Sequence, residues 1–199
     1  MNTFNTKIAY IKLGDFSGTP FLTSLNKYTE VTEITITDND KALETLKDFN
    51  TIIFGYHKSD VSWWKPQELS AKEIELINTV AASKNVIIDV FAKPYVLSAL
   101  PSLDKIKSVI VSYQNSEISQ DVSAQIIFGA LGAKGRLSVS INDDYKVNHG
   151  LTTQPLNILG FSTAESVGMS SEKLNQIEAI AKALIGPKEH LYYLLIIKI

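Results

Sequence analysis

The sequence contains no cysteine, only two methionines and two tryptophans, and almost no excess of charge. The absence of cysteine excludes disulfides, thiolate zinc sites, iron–sulfur clusters and a cysteine nucleophile. With 19 Lys+Arg against 21 Asp+Glu, the chain lacks the clustered basic excess of a nucleic-acid interface, so we expect no nucleic-acid partner. A chain without cysteine can belong to a reducing or an oxidising compartment, so the localisation stays open.

Long apolar runs are also missing. The first run, residues 8–13, is interrupted by Lys12 and follows no basic segment, unlike the apolar core of a signal peptide. The most apolar stretch, residues 191–197, is well short of the roughly 20 residues that a membrane helix needs. We therefore expect a soluble chain with no export signal in the printed sequence and no membrane partner.

Short Ile- and Val-rich runs alternate with amphipathic segments from Lys7 to about Leu131. Runs of this length are typical of buried parallel strands. The predicted strands are residues 8–13, 31–36, 51–55, 86–91 and 108–112, and the predicted helices are residues 20–28, 40–49, 70–83, 94–100 and 117–132. Five successive β–α units predict an α/β fold, a three-layer α/β/α sandwich with a mostly parallel five- to six-stranded sheet, flavodoxin- or Rossmann-like.

Several helix boundaries carry capping signals. Ser70, followed three residues later by Glu73, predicts a capping box, and Ser116 can cap the helix at residues 117–132. Gly135 lies just beyond that helix, where a left-handed residue is common. Residues 136–141 then alternate in polarity and suggest a sixth strand at an edge of the sheet. A last helix begins at Ser170 or the next residue.

The candidate site lies beyond the carboxyl ends of the strands, where open α/β sheets bind ligands. The loop after the third strand holds both tryptophans and one of the three histidines. Two interpretations remain open, a ligand platform and an aromatic cover that packs on the following helix. The candidate ligand or interface residues are Tyr56, His57, Lys58, Asp60, Trp63, Trp64 and Asn115.

Other motifs are weaker. Residues 14–18, Gly-Asp-Phe-Ser-Gly, stand where a phosphate loop would stand but match neither nucleotide fingerprint, so we interpret the glycines as turn residues. The histidines lie far apart in sequence, so we expect no metal and no cofactor. Asp89, an acid inside an apolar strand, is either a buried group with a perturbed pKa or an acid that caps a neighbouring loop.

The motif Ser-x-x-Lys of serine β-lactamase-like enzymes occurs three times, beginning at Ser24, Ser102 and Ser170. Three occurrences in a chain of 199 residues indicate a weak pattern, and no Lys-Thr-Gly accompanies them. We interpret all three as accidental. Ser170 has a simpler role as the N-cap of the last helix.

Several segments between Lys7 and Ile141 match one known type of domain. They are residues 8–15 (IAYIKLGD), 52–60 (IIFGYHKSD), 91–95 (FAKPY), 111–115 (VSYQN), 124–129 (AQIIFG) and 135–140 (GRLSVS). With these segments the chain resembles the C-terminal α/β domain of family 3 glycoside hydrolases, and within that family the β-N-acetylglucosaminidase branch. The family's last element usually reads Gly-Lys/Arg-Leu-Pro-Val, and Ser138 stands here in place of the proline.

The resemblance implies an accessory, non-catalytic domain of a β-N-acetylhexosaminidase-type enzyme. Its partner would be a (β/α)8 barrel, absent from this sequence, that carries the nucleophilic aspartate, and the domain could border the carbohydrate cleft of that barrel. Asp60 has no second catalytic partner in the sequence, so the resemblance leaves open whether the chain is an enzyme, and we expect the isolated chain to be inactive. The parent enzyme would be periplasmic or secreted.

A second likeness follows the first. Residues 159–161 and 165–174 resemble the lead-in to a serine β-lactamase-like domain, and the sequence ends before that domain's nucleophile. We therefore expect a family 3 C-terminal-type domain at residues 1–141, a linker at 142–169 and a stub of the next domain at 170–199. An apolar patch left by the missing barrel would favour self-association. The alternative is a stand-alone flavodoxin-like module that binds a small ligand.

Overall fold

A five-stranded parallel sheet forms the centre of the molecule. The computed structural model describes residues 6–59 and 68–185, which divide into one compact unit that ends at Leu159 and a second that begins at Gly160. The strands of the first unit are β1 (Ile8–Gly14), β2 (Val31–Glu33), β3 (Thr51–His57), β4 (Asn85–Phe91) and β5 (Ser108–Val111). Their order, β2-β1-β3-β4-β5, is the flavodoxin-like one, so the predicted α/β fold is confirmed.

Helices cover both faces of this sheet. They are α1 (Thr19–Leu25), α2 (Ala42–Thr45), α3 (Ala71–Ala81) and α4 (Glu117–Ile127), with 3-10 turns at Asn39–Lys41 and Pro94–Ala99. Side chains of α1 and α4 join one apolar cluster with the sheet, and side chains of α2 and α3 join the other. The helix predicted at residues 94–100 is thus a 3-10 helix. It ends before Leu100, whose backbone is extended because Pro101 follows it.

The strands at the centre of the sheet are mostly apolar because both of their faces are buried. On β1, Ala9 and Ile11 face the cluster of α2 and α3, whereas Ile8 and Tyr10 face that of α1 and α4. Buried parallel strands of this kind do not show the polar alternation of a half-exposed strand. That is why the Ile- and Val-rich runs located all five strands.

The end of α4 differs from the prediction. The helix ends at Ile127, and Gly129, not Gly135, takes the left-handed conformation with a φ of 78°. The Gly129 N–H donates to the carbonyl of Ile126 (3.0 Å) and the next N–H to the carbonyl of Gln125 (2.9 Å), which is a Schellman motif. The side chain of Leu156 packs directly against this glycine.

The sixth strand suggested at residues 136–141 is absent from the described sheet. This segment instead pairs with a returning one, since the Leu137 N–H donates to the carbonyl of His149 at 2.8 Å. The side chain of Asn142 accepts the N–H of Tyr145 (2.8 Å) and so reverses the chain between the two arms. The division of the chain at residue 141 into domain, linker and stub stays a prediction.

The second unit contains a 3-10 turn at Ala164–Val167 and α5 (Ser171–Ile185). The Ser170 hydroxyl accepts the N–H of Lys173 at 3.3 Å, which fits its predicted role as a cap. The carboxylate of Glu165 accepts the N–H of Ser171 at 2.9 Å. Within the described part of the chain, no helix combines the length and apolar content required to cross a bilayer.

The two glycines after α4 give a stability test. We expect Gly129→Ala to lower the free energy of unfolding by about 1–2 kcal/mol, because alanine disfavours the left-handed conformation. Its Cβ would also lie 2.6 Å from Cδ1 of Leu156. Gly135→Ala is the matched control, since a Cβ there meets no atom within 4 Å and it should change the free energy little. Urea unfolding compares the two, and equal effects would contradict the assignment of the helix end.

Candidate functional site

The candidate site lies where β1 and β3 end side by side, with Gly14 opposite His57. In the order β2-β1-β3-β4-β5 this is where the chain changes direction across the sheet, the usual ligand crevice of such folds. Tyr56, His57, Lys58 and Asn115 lie within the described residues at this edge. Asp60, Trp63 and Trp64 lie outside the described residues, so the expectations for them stay predictions.

A chain of hydrogen bonds runs beneath this edge. The Tyr10 hydroxyl lies 2.9 Å from Nε2 of His57, and Nδ1 of His57 lies 2.8 Å from Oδ1 of Asn115. Nε2 of Gln120 donates to the same Asn115 oxygen at 2.9 Å, and Oε1 of Gln120 accepts the Phe21 N–H at 2.8 Å. Tyr10, His57, Asn115 and Gln120 are all buried, and we call them the buried polar chain.

The Phe21 N–H sets the direction of every bond in the buried polar chain. A backbone N–H can only donate, so the atom of Gln120 that faces it is the carbonyl oxygen, and the Gln120 amide nitrogen is left to donate to Asn115. The Asn115 oxygen therefore faces His57, whose Nδ1 carries the proton. Nε2 of His57 is then an acceptor, and the Tyr10 hydroxyl donates to it.

Burial keeps the His57 ring neutral. The ring is fully buried and stacks on Phe91 with centroids 4.6 Å apart. The pKa of His57 is lowered to about 4, mainly by desolvation. The hydrogen bond with Asn115 acts to raise the pKa, and the charge of Lys12 makes a smaller contribution that lowers it. A neutral imidazole without access to solvent cannot exchange protons with a substrate, so His57 has a structural role in this state.

Two glycines permit the Tyr10–His57 bond. A Cβ on Gly55 would lie 2.6 Å from Nε2 of His57, and a Cβ on Gly18 would overlap the Tyr10 hydroxyl. The sequence interpretation of the glycines in residues 14–18 as turn residues is right for Gly14, whose φ is 76°. For Gly18 the reason differs, because its lack of a side chain allows the close approach of this buried pair.

Two backbone N–H groups of the loop after β1 are already engaged. The Gly14 N–H donates to Oε1 of Glu73 at 2.8 Å, and the Phe16 N–H donates to the carbonyl of His57 at 3.2 Å. Burial raises the pKa of Glu73, but hydrogen bonds from Gly14 and Ser70 outweigh it and hold the pKa below its ordinary value. A carboxylate thus binds the start of this loop and would repel a phosphate group there.

The remaining candidates from the sequence contribute to the walls of this edge. Tyr56 is buried, and its hydroxyl donates to the carbonyl of Glu68 at 3.0 Å. Lys58 forms an ion pair with Asp15 at 3.0 Å. Burial raises the pKa of Tyr56 well above its usual range. Neither Tyr56 nor Lys58 is placed to carry out chemistry on a ligand without first breaking these bonds.

Asp89 is the buried acid that the sequence singled out. Its carboxyl group accepts the Ser112 hydroxyl at 2.8 Å and the Ser123 hydroxyl, so it joins β4 to the loop after β5 and to α4. Burial raises the pKa of Asp89 to about 7, against the hydrogen bonds from Ser123 and Ser112, which lower it. Asp89 is therefore buried, as in the first interpretation made from the sequence, and it also bonds to a neighbouring loop through Ser112, as in the second.

The first Ser-x-x-Lys motif has a structural explanation. The Ser24 hydroxyl donates to Oδ1 of Asp121 at 2.7 Å, and Nζ of Lys27 lies 2.6 Å from the same oxygen. The motif therefore connects α1 to α4, with the Ser24 hydroxyl and the Lys27 amine both bound to the carboxylate of Asp121. Within residues 6–59 and 68–185, no three His, Asp or Glu side chains are grouped so as to hold a metal ion.

Sequence reasoning missed two of the four residues of the buried polar chain, Tyr10 and Gln120, and one exposed residue, Tyr113. Tyr10 and Gln120 lie inside regular elements, where nothing in the sequence distinguishes them from ordinary strand and helix residues. Tyr113 lies in a matched segment, and its left-handed backbone (φ 61°) carries no sequence signal because tyrosine does not favour it. Its exposed ring stands at the same carboxyl edge as the candidate residues.

Comparison with protein-family models and with the curated proteins finds no match. Among solved structures, the chain is similar to beta-glucoside phosphorylase BglX, with 12% identity and a TM-score of 0.48 over 62% of this chain and 24% of that one. It is similar to the RcsB response regulator of Salmonella typhimurium, with 17% identity and a TM-score of 0.38 over 64% of this chain and 58% of that one. A pilus assembly-related protein from Burkholderia pseudomallei has 7% identity and a TM-score of 0.40 over 63% of this chain and 91% of that one.

The chain thus spans about a quarter of the length of the phosphorylase, 24% of it. The likenesses are too distant to add to the fold assignment, which rests on the order and direction of the strands themselves.

The pKa of His57 predicts a pH dependence of stability. The histidine has a pKa of about 4 in the folded chain and 6.5 as its ordinary value, so the unfolded chain binds more protons between these pH values. Its contribution to the free energy of unfolding should therefore rise from pH 4 to pH 6.5, by about 3 kcal/mol. His57→Gln should lose this rise, measured as the difference from wild type in urea unfolding. An unchanged pH dependence would contradict the assignment.

Asp89 should act in the opposite direction. Its pKa is raised from 3.8 to about 7, so the folded chain binds more protons over this interval and stability falls as the pH rises. Asp89→Asn, which removes the acid, should make the free energy of unfolding rise more steeply with pH than in wild type between these values. A slope equal to that of wild type would show that Asp89 titrates normally.

Proposed function

We propose that this chain is an accessory, non-catalytic domain of a β-N-acetylhexosaminidase-type glycoside hydrolase, which packs on a catalytic barrel and borders its carbohydrate cleft. The observation that carries the proposal is that His57, Glu73 and Lys58, ionisable groups at the carboxyl edge, are already bonded to other groups of the chain. His57 is neutral and buried, Glu73 caps backbone N–H groups, and Lys58 pairs with Asp15. A retaining glycosidase needs two reactive groups that flank the glycosidic oxygen, about 5–5.5 Å apart when both are carboxylates.

The resembling segments reach the carboxyl edge of the sheet, and their position supports a functional role for this edge. Residues 52–60 include the end of β3, residues 91–95 begin at the last residue of β4, and residues 111–115 begin at the last residue of β5. Each therefore reaches a loop beyond the carboxyl end of a strand. If the resemblance reflects a shared role, that role belongs to this edge.

The exposed side chains at this edge suit contact with a sugar or a second domain. Phe16 follows β1 and is 45% exposed, and Tyr95 follows β4 and is 55% exposed. Aromatic side chains provide large contact areas at low conformational cost, and they are enriched in interfaces for that reason. Exposed rings beyond the ends of two strands favour recognition over catalysis.

A stand-alone small-ligand module is the second candidate. A cleft of about 180 Å³ beside β1 and α3, lined among others by Lys12, Thr37 and Lys72, is the observation that favours it. Because Glu73 also lines this cleft as a carboxylate, the module would not be a nucleotide binder of the phosphate-loop type. Saturable binding of a neutral sugar in this cleft, with no effect on a barrel, would favour this candidate over the accessory domain.

The accessory role can be tested by supplying a barrel. The chain is co-expressed with a family 3 β-N-acetylglucosaminidase barrel that lacks its own α/β domain. We expect a one-to-one complex on size-exclusion chromatography, and no hydrolysis of 4-nitrophenyl N-acetyl-β-glucosaminide by the chain alone. Failure to form the complex would contradict the proposal, as would turnover by the isolated chain that Asp60→Ala abolishes.

We also expect the isolated chain to self-associate. Leu151 and Leu159 of the first unit are 80% and 88% exposed, and large exposed apolar side chains favour association. Multi-angle light scattering should show a mass that increases with concentration, and Leu151→Ser with Leu159→Ser should reduce the increase. A strict monomer at high concentration would contradict the expectation.

A further inference from the structure

Tyr113 has a backbone conformation that its side chain disfavours. Among the described residues, the non-glycine residues with a left-handed φ are Tyr113 (61°), Asn148 (69°) and Asn157 (59°). Asparagine adopts this region readily, whereas a bulky aromatic residue there is an outlier. The Gln114 N–H donates to the carbonyl of Ser112 at 2.6 Å, so Tyr113 is the central residue of a γ-turn of the rare, strained type.

Bonds on both sides of Tyr113 hold the strained turn in place. Before it, the Ser112 N–H donates to the carbonyl of Val90 at 2.9 Å and the Ser112 hydroxyl donates to buried Asp89 at 2.8 Å. After it, the Asn115 side chain accepts from His57 in the buried polar chain. The turn is therefore fixed by contacts with β3 and β4, and the strain is not relieved by movement of the loop.

The side chain of Tyr113 is fixed at its far end as well. Its hydroxyl accepts the Ser138 N–H at 3.3 Å and lies 3.4 Å from the Ser138 hydroxyl, yet 38% of the residue is exposed. The ring is thus held by its backbone and by its hydroxyl while part of it faces solvent. Strained residues held in this way are typical of ligand-binding sites, where a rigid contact residue loses little entropy on binding.

We propose that Tyr113 is a preorganised ligand-contact residue, on which a neutral sugar ring stacks while the Ser138 hydroxyl and the exposed Gln114 amide bond its hydroxyl groups. The choice of a sugar as the ligand rests on the proposed function, whereas the choice of Tyr113 as the contact residue rests on the geometry. A sugar ring fits because it combines an apolar face with neutral hydroxyl groups at its rim, which matches a tyrosine ring flanked by a hydroxyl and an amide.

The test is a titration of the ¹⁵N-labelled full chain with N,N′-diacetylchitobiose, followed by amide resonances. We expect saturable shifts at Tyr113, Gln114 and Ser138 in wild type. Tyr113→Gly should weaken binding at least tenfold without lowering the midpoint of thermal unfolding, because glycine accepts the left-handed conformation freely. Tyr113→Phe, which keeps the ring and loses only the bond to Ser138, is the matched control and should weaken binding by no more than a few-fold.

Three results of the chitobiose titration would overturn the inference. They are no shift at all in wild type, shifts confined to other residues, and an affinity unchanged in Tyr113→Gly. A response to adenosine monophosphate and not to chitobiose would also overturn it, because the ligand would then belong to another class. Since the accessory role is measured separately by complex formation with a barrel, a complex without sugar binding at Tyr113 would reject only this inference. Sugar binding at Tyr113 without a complex would reject only the accessory role.

Discussion

The hydrogen bond between the Tyr10 hydroxyl and His57 is the interaction on which the carboxyl edge of the sheet depends, together with its continuation through Asn115 and Gln120. Each donor and acceptor along this route lies out of contact with water, where an unmade hydrogen bond costs about 1–3 kcal/mol. The bonds therefore form as a set. They connect β1, β3, the loop after β5 and α4, and through the Phe21 N–H they reach α1.

The same set of bonds determines what the edge can do. His57 is a neutral acceptor and donor in the interior, and the carboxylate of Glu73 accepts the Gly14 N–H at the start of the loop after β1. The side chains that remain accessible at this edge include the aromatic and amide groups of Phe16, Tyr95 and Gln114. A rigid edge with such a surface is suited to positioning a partner or a ligand, and the proposed accessory role uses that property.

The fold could be predicted from the sequence because its signals are local. Ile- and Val-rich runs located the five strands, and the capping box of Ser70 with Glu73 located the start of α3. The predicted end of α4 was wrong because Gly129 and Gly135 both lie where the sequence allows the helix to end. The choice depends on Leu156, which returns to pack on Gly129 from far along the chain. The suggested edge strand failed for a similar reason, since residues 136–141 pair with a later segment.

The site was only partly predictable. His57 and Asn115 were selected because they follow the strands predicted at residues 51–55 and 108–112. Their burial depends on Gly18, Gly55 and Phe91, which the fold brings close to them. Tyr10 and Gln120 have no distinguishing sequence signal at all. Asp89 was noticed because an acid interrupts an apolar run, and its serine partners come from β5's loop and from α4.

The central claim is that the buried polar chain holds His57 as a neutral ring with its proton on Nδ1. The most direct measurement is a long-range ¹H–¹⁵N correlation of the imidazole of His57, recorded on the full chain near neutral pH. The account predicts a protonated Nδ1, an unprotonated Nε2 and no titration until well below the usual pKa of histidine. A proton on Nε2, or a ring that titrates at an ordinary pKa, would contradict it.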